Sequence, residues 1–422
     1  MLLLPALVAL AAATPPAVPD DAIRTATDRL AVRLVETRRD LHAHPELSNR
    51  EVRTGKLVAE RLGALGLEVR FPVARTGVIA VLRGGRPGRT VALRADMDAL
   101  PIVEKSDVAY RSQVDGVMHA CGHDAHTAIL LAVAEVLTGL RSSLPGTVVF
   151  LFQPAEEGAP EGEDGGAPLM IREGALSDPR VEAIFGLHVG MDLEMGTVGW
   201  AAGPLLASSD TFTIEVEGKR AHGAQPHKGL DPVPIAAEMV QALQLIVSRQ
   251  TEAQSPKVLT IGQIHGGSRF NIIADRVTMD GTLRTFDATL RSSIKERMAR
   301  TVRGVAEANG TTATLRFIDA GNAPTVNDVA LTRVAVPVLE RGFGQGRSVE
   351  MRPQMVAEDF SAYAERVPGF FFFLGTANAA KGIQSTNHTD HFDVDEAALP
   401  LGVRALATLA WEFLSRPAAR SR

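Results

Sequence analysis

The chain has 422 residues, 45% of them hydrophobic, and a formal net charge of −5. That length calls for two domains, or one domain with a large insertion. Mild acidity without a basic tract sets nucleic-acid binding aside, and a single cysteine, Cys121, rules out an intramolecular disulfide while leaving the redox compartment open.

The chain opens on MLLLPALVALAAATPPAVPD. Its apolar run of about a dozen residues is too short to span a bilayer and suits the core of a signal peptide. Residues 1–18 are therefore expected to be a leader that directs the protein to the periplasm or the medium. The missing Lys or Arg near the start keeps a cytoplasmic location as the alternative. No later apolar stretch reads as a transmembrane helix. Helical periodicity follows in DAIRTATDRLAVRLVETRRDLHAHPEL, up to Pro45, and again in REVRTGKLVAERLGALGLEV. Strands and helices then alternate. GVIAVLRG, TVALRAD, GTVVFLFQP, VEAIFGLHV and, near the end, GFFFFLGT read as strands, and AHTAILLAVAEVLTGL reads as a buried helix. Continuous apolar strands alternating with helices predict an α/β fold: a central, mostly parallel sheet with helices on both faces.

Between residues 207 and 319 the pattern changes. DTFTIEVEG alternates polar and apolar residues, as a strand with one solvated face does. A helix, two strands, a helix and a strand follow, a βαββαβ order that predicts a ferredoxin-like α+β unit. The expected organisation is a larger domain over residues 19–206 and 320–422, interrupted by a smaller one at 207–319.

Polar clusters recur where strands end. RADMDALP supplies Asp96 and Asp98, QPAEEG supplies Glu156 and Glu157, and GLHVG supplies His188. Sites in open α/β sheets form beyond the carboxyl ends of strands, where charged groups must be solvated, paired or bound to something. The segment HACGHDAH adds Cys121 and His123, a Cys-x-His pair on the loop into a helix. With Glu157 and His188 the count of potential metal ligands reaches four. Asp124 lies in a first helical turn, where the dipole favours an acid, and His126 reads as structural. Of the adjacent glutamates, one can bind an ion while the other takes a proton from water and hands it to a leaving amine. In NHTDHFDVDE, either His388 or His391 can complete a metal site. The competing reading makes Cys121 a nucleophile with an imidazole as its base. A non-catalytic binding protein is the third reading.

The motifs RRDLHAHPELS, RADMDALP, HACGHDAH, FQPAEEG, GLHV, AHGAQPH, GTLRTF, AEDFSAY and NHTDHFDVDEAALPLGVRAL run nearly the whole chain in order. Together they resemble the metal-dependent aminoacylase/carboxypeptidase family, in the branch with hippurate hydrolases and auxin-conjugate hydrolases. The resemblance implies two divalent ions, Mn²⁺ or Zn²⁺ with Co²⁺ or Ni²⁺ also suited, held by Cys121, His123, Glu157, His188 and His388, with Cys121 bridging. It implies Glu156 as general base and acid, Asp96 as the acid that supports the site, and Glu358 close by. The inserted unit would be a lid and dimerisation domain, the route to a homodimer. There His222 would polarise the scissile carbonyl, in some relatives from the partner subunit, and Asn271 and Arg284 would hold the substrate carboxylate. The implied substrate is a small N-acyl amino acid or peptide, with a dipeptidase or an N-acetyl-diamino-acid deacetylase as variants. One departure is plain: many relatives carry a ligating histidine where this chain has Arg94, and a guanidinium is a very poor ligand.

Overall fold

The computed structural model describes residues 18–417, the side chains of 319 and 320 excepted. The expected leader falls almost wholly outside the described residues. Fourteen strands are formed: β1 (Glu68–Val73), β2 (Gly77–Arg83), β3 (Arg86–Asp96), β4 (Pro145–Gln153), β5 (Ala183–Glu194), β6 (Val198–Trp200), β7 (Gly203–Leu206), β8 (Ser209–Glu217), β9 (Lys257–Gly266), β10 (Arg276–Thr285), β11 (Ala313–Asn322), β12 (Thr325–Asn327), β13 (Ser348–Glu350) and β14 (Gly369–Ala377). The helices are α1 (Asp20–Ala43), α2 (Val52–Ala64), α3 (His123–Gly139), α4 (Gly166–Arg172), α5 (Pro232–Arg249), α6 (Ala288–Ala308), α7 (Val329–Phe343), α8 (Ser361–Ala364) and α9 (Leu399–Ser415).

Eight strands form one sheet in the order β1-β2-β4-β3-β5-β14-β6-β13. The four in the middle, β4, β3, β5 and β14, are parallel to one another. The sheet as a whole is mixed rather than mostly parallel, because β2 runs antiparallel to β4, β1 to β2, and β6 to β14. The short connection from β1 to β2 is a hairpin, which a tight turn can close only between antiparallel strands. Alternation sends side chains to two cores. Phe370 and Phe372 pack with α1, α3, α7 and α9, while Phe371 and Phe373 pack on the opposite face with α4 and the Phe360–Tyr363 turn. A strand covered on both faces has no solvated positions, so its sequence runs GFFFFLG without a break. The segment Glu396–Ser415 has the length and apolarity of a membrane span, yet 67% of it is buried among these elements.

The chain leaves the large sheet after β6, pairs β7 with β12 in a two-stranded sheet, and builds a four-stranded sheet in the order β11-β8-β10-β9, every pairing antiparallel. Helices α5 and α6 cover one face, their apolar stripes (Ile235, Met239, Leu243; Ile294, Met298, Val302) packed on Phe212, Ile214, Val277 and Met279. Asp231 and Asp287 cap these helices by accepting the N–H groups of Val233 and Leu290. The strand and helix order is the βαββαβ order expected.

Candidate metal centre

Because β4, β3, β5 and β14 are parallel neighbours, their carboxyl ends lie along one edge. These strands and the loops beyond their ends carry the acids, thiol and imidazoles that the sequence singled out. Asp96 ends β3 beside Gln153 at the end of β4. Glu156 and Glu157 follow at once, and His188 lies on β5 opposite Phe373 of β14. Cys121 lies just before α3 and His123 is its first residue, with Gly122 between them. That glycine has φ +93°, and a Cβ there would come within 2.3 Å of Val189 Cγ2, so only glycine lets the turn pass.

Two groups of ligand atoms, each within 4.8 Å of one another, share the same sulfur. Cys121, His123 and His188 form one; Cys121, Glu157 and His388 form the other. The Cys121 Sγ lies 3.4 Å from His188 Nε2, and His388 Nε2 lies 3.1 Å from Glu157 Oε1. His391 instead lies 2.7 Å from its neighbour Asp390 and is exposed. His388 holds a left-handed backbone (φ +63°), as does Ala155 just before the glutamate pair (φ +54°). Non-glycine residues adopt that region only when their surroundings impose it. Here the His388 N–H donates to Ala120 O at 2.8 Å, and the Ala155 N–H donates to Glu51 Oε1 at 2.9 Å.

The imidazoles are oriented as metal ligands are. His123 Nδ1 lies 3.2 Å from Asp98 Oδ1, and His188 Nδ1 lies 2.8 Å from Val189 O. Each contact places a proton on Nδ1 and turns the Nε2 lone pair toward Cys121. His123 Nε2 is buried without a hydrogen-bond partner. A soft sulfur, two lone pairs from imidazole and nearby carboxylates are a donor set that fits zinc or a related divalent ion. Electrostatics agree. Against its burial, the imidazoles of His188 and His123 pull the Cys121 thiol well below its usual range, as befits a thiolate ligand. Hydrogen bonding to Cys121 and Glu157 lifts His388 to about 10. Burial, then the charge of Cys121, lifts Glu157 to about 7, an excess of negative charge that a cation would relieve.

Glu156 stands apart from the two sulfur-sharing groups, with its side chain only 10% exposed and 3.9 Å from His123 Nε2. Its other neighbours are Glu358 and Asp359, within 4.8 Å. Burial, then Glu358, Glu157 and Asp359, hold its carboxyl well above the ordinary range. Behind it lies Arg94, fully buried with every nitrogen engaged: it donates to Gln153 Oε1 (2.9 Å), Asp96 Oδ2 (2.6 Å), Glu358 Oε1 (2.9 Å) and Asp359 Oδ1 (2.9 Å). Arg94 is thus a fixed internal cation.

Asp96 bonds His126 and also lies 3.9 Å from His123 Nε2. It lies 2.6 Å from His126 Nδ1, whose Nε2 accepts the Val189 N–H at 2.9 Å. The acid nearest the ligands is Asp98, which holds His123 and also accepts the N–H groups of Glu156 (3.1 Å) and Glu157 (3.0 Å). Asp124 is in the first turn of α3 as expected, but it is buried against Arg38 and His42 and does not face solvent. Asp359 went unremarked in the sequence, although it lies beside Glu358.

A cleft of about 1260 Å³ opens over these groups. Cys121, Glu156, Glu157, His188 and His388 line its floor; Met191, Phe373, Met355 and Val356 give it apolar walls; Arg284 of β10 reaches it from the small sheet. His222 and Asn271 do not line it. They lie together at the far end of the small unit, where His222 bridges to Ile272 and the Gly223 N–H donates to Asn271 O at 2.8 Å.

Thiol, imidazole and carboxylate groups that could hold metal at the carboxyl edge of an α/β sheet, with a buried glutamate beside them and an open cleft above, fit a metal-dependent hydrolase of linear amides. Comparison with known proteins gives the same class. Residues 92–412 match Peptidase family M20/M25/M40, and the chain belongs to that family. It is 41% identical over 384 residues to the thermostable carboxypeptidase 2 of Saccharolobus solfataricus, covering 91% of this chain and 96% of that one. It is 40% identical over 384 residues to the IAA-amino acid hydrolase ILR1-like 4 of Arabidopsis thaliana, covering 90% and 86%. Among solved structures it superposes on a dinuclear metal binding peptidase of the M20 family from Bacillus subtilis with a TM-score of 0.78 and 36% identity, covering 91% of this chain and 98% of that one.

Proposed function

We propose that the enzyme holds two divalent ions and cleaves the amide bond of N-acyl amino acids, releasing an acyl acid and a free amino acid. The observation that carries this reading is the membership of Cys121 in two ligand groups at once. One ion would take Cys121, His123 and His188, the other Cys121, Glu157 and His388. Sulfur and imidazole favour Zn²⁺, and the carboxylate share also suits Mn²⁺, Co²⁺ or Ni²⁺. The names of the relatives, a carboxypeptidase and a hydrolase of amino-acid conjugates, support a substrate with a free carboxylate next to the scissile amide.

Bound ions supply Lewis acidity for the carbonyl and acidify an attacking water. Glu156 takes that water's proton and returns it to the leaving amine, a role that its raised affinity for a proton suits. Arg284 receives the substrate carboxylate, for which a guanidinium fork is matched in shape. The small unit, residues 207–319, acts as a lid. His222 and Asn271 serve the cleft of a partner subunit in a homodimer, which accounts for their position away from the cleft of their own chain. Phe270, 94% exposed beside them, marks a surface suited to such a contact. Residues 1–18 act as an export signal.

The 3.4 Å contact between Cys121 and His188 favours one second reading, a thiolate–imidazole nucleophile. Hydrolysis of hippurate, N-acetyl-methionine and a dipeptide before and after chelation separates the two. The metal reading predicts activity on the N-acyl amino acids that chelation abolishes and added Mn²⁺ or Zn²⁺ restores. Activity that survives chelation contradicts it.

A further inference from the structure

The motif RRDLHAHPELS begins in the last turns of α1, outside the cleft, and takes no part in the chemistry above. Its Arg38 is fully buried, with Nε 2.8 Å from Asp124 Oδ2, a contact of charges rather than an aligned hydrogen bond. Its Nη2 donates to Asp393 Oδ1 at 2.9 Å. His42, one turn on, lies 2.8 Å from the same Asp124 oxygen and 3.3 Å from Glu104 Oε1. Tyr110 donates to Asp393 Oδ2 at 2.7 Å, and Arg38 stacks over its ring at 4.9 Å. Asp124 follows His123 directly, and Asp393 lies five residues after His388. One guanidinium therefore joins two segments that are more than 260 residues apart in sequence and that each carry a ligand.

The segment of His388 needs such a tie. It belongs to no strand or helix, its imidazole is 53% exposed, and its backbone is left-handed. Its other ionic anchors are looser or farther from His388: Lys105 with Asp390 is solvated on both sides (63% and 36% exposed), while Arg39 with Glu396 and Lys381 with Asp395 each pair a solvated cation with a residue beyond Asp393. A buried charge pair is costly to break from one side, which makes the Arg38 contact the stiffest of these.

We propose that Arg38 is a positioning residue for the metal centre, clamping the His388 loop to the turn of Cys121 and His123 through Asp393 on one side and Asp124 on the other. The proposal rests on the reading of Cys121, Glu157 and His388 as ligands of one ion. The clamp acts on that ion above all, because His123 and His188 are fixed independently by α3 and β5.

The test is Mn²⁺ binding to the full metal-free chain, with a dissociation constant for each ion, in wild type and Asp393→Asn. The expected result is an affinity about 10- to 100-fold lower for one ion and unchanged for the other. Excess Mn²⁺ should restore kcat with KM unaltered. Arg38→Lys, which keeps the charge but cannot serve both carboxylates from separate nitrogens, should fall between. If Asp393→Asn does not fold, Tyr110→Phe removes one hydrogen bond from the same carboxylate and reads the same quantity. Equal weakening of both ions with a lower melting temperature of the metal-free protein would reduce Arg38 to a general structural role and overturn the clamp. So would two unchanged constants. A wild type that binds fewer than two ions would instead bring down the ligand reading on which the clamp rests.

Discussion

Asp98 and His123 meet through Oδ1 and Nδ1 at 3.2 Å, and this contact decides which imidazole nitrogen faces Cys121. The same carboxylate accepts the backbone N–H groups of Glu156 and Glu157. One side chain thus orients a ligand from α3 and fixes the loop after β4. Asp98→Ala should leave the fold in place, since Asp98 sits beyond the strands. It should weaken metal binding by about 10- to 100-fold, the usual cost of losing a partner behind a metal ligand. Titration of the metal-free protein with Zn²⁺ checks this; an unchanged affinity would deny Asp98 that role.

Glu156→Gln removes the proton carrier and no proposed ligand. Metal content should match wild type while turnover falls by about 10²–10⁴-fold, the range for loss of a general base. Near-wild-type rates with metal retained would refute the assignment.

Arg284→Ala should raise KM by about 10- to 100-fold and change kcat little, as expected when an interaction made equally in ground and transition states is lost. N-acyl amino acid amides, which lack the carboxylate, should be insensitive to the change. An equal loss for both substrates would place Arg284 elsewhere in the mechanism.

The strand ends were legible because buried parallel strands are written as apolar runs, and a polar residue after such a run stands out. Cys121, His123, Glu157, His188 and His388, drawn from four separate segments, converge as expected. What escaped was any partner that depends on fold-level proximity. Asp98 works largely through backbone N–H groups, which no side-chain pattern reveals. Arg94 meets Glu358 across a separation of 264 residues, and its burial among carboxylates shows only once β3 lies beside β4. The antiparallel direction of the outer strands was not legible, because the pattern of a strand, whether buried like β2 or largely exposed like β1, reads the same in either direction.

Arg94 gives a stability prediction. It is the only cation hydrogen-bonded to the buried carboxylates of Asp96, Glu358 and Asp359 among the described residues. Removing one side of such a cluster leaves uncompensated charge. Arg94→Met should destabilise the protein by about 3–5 kcal/mol at neutral pH. Urea unfolding measures this, and a loss below about 1 kcal/mol would show the cluster to be solvated or protonated.

Glu51 gives a pH dependence away from the ligands. It is fully buried, and burial with the charge of Asp98 lifts its carboxyl to about 7, against an ordinary value of 4.5. The folded state therefore holds this proton more tightly than the unfolded one. Its contribution is complete below pH 4.5 and is lost as pH rises through 7, to a total on the order of 3 kcal/mol. Glu51→Gln should remove this term, so the variant should gain on wild type in melting temperature from pH 5 to pH 8. A constant difference across that range would contradict the assignment.

Cys121 is proposed to serve two ions. Metal content per chain of protein purified without added metal and then loaded, in wild type and Cys121→Ala, tests this. About two ions are expected in wild type, as in two-metal hydrolases, with occupancy lost at both positions in the variant. A Cys121→Ala protein that keeps both ions, or a metal-free wild type that still hydrolyses hippurate, would contradict it.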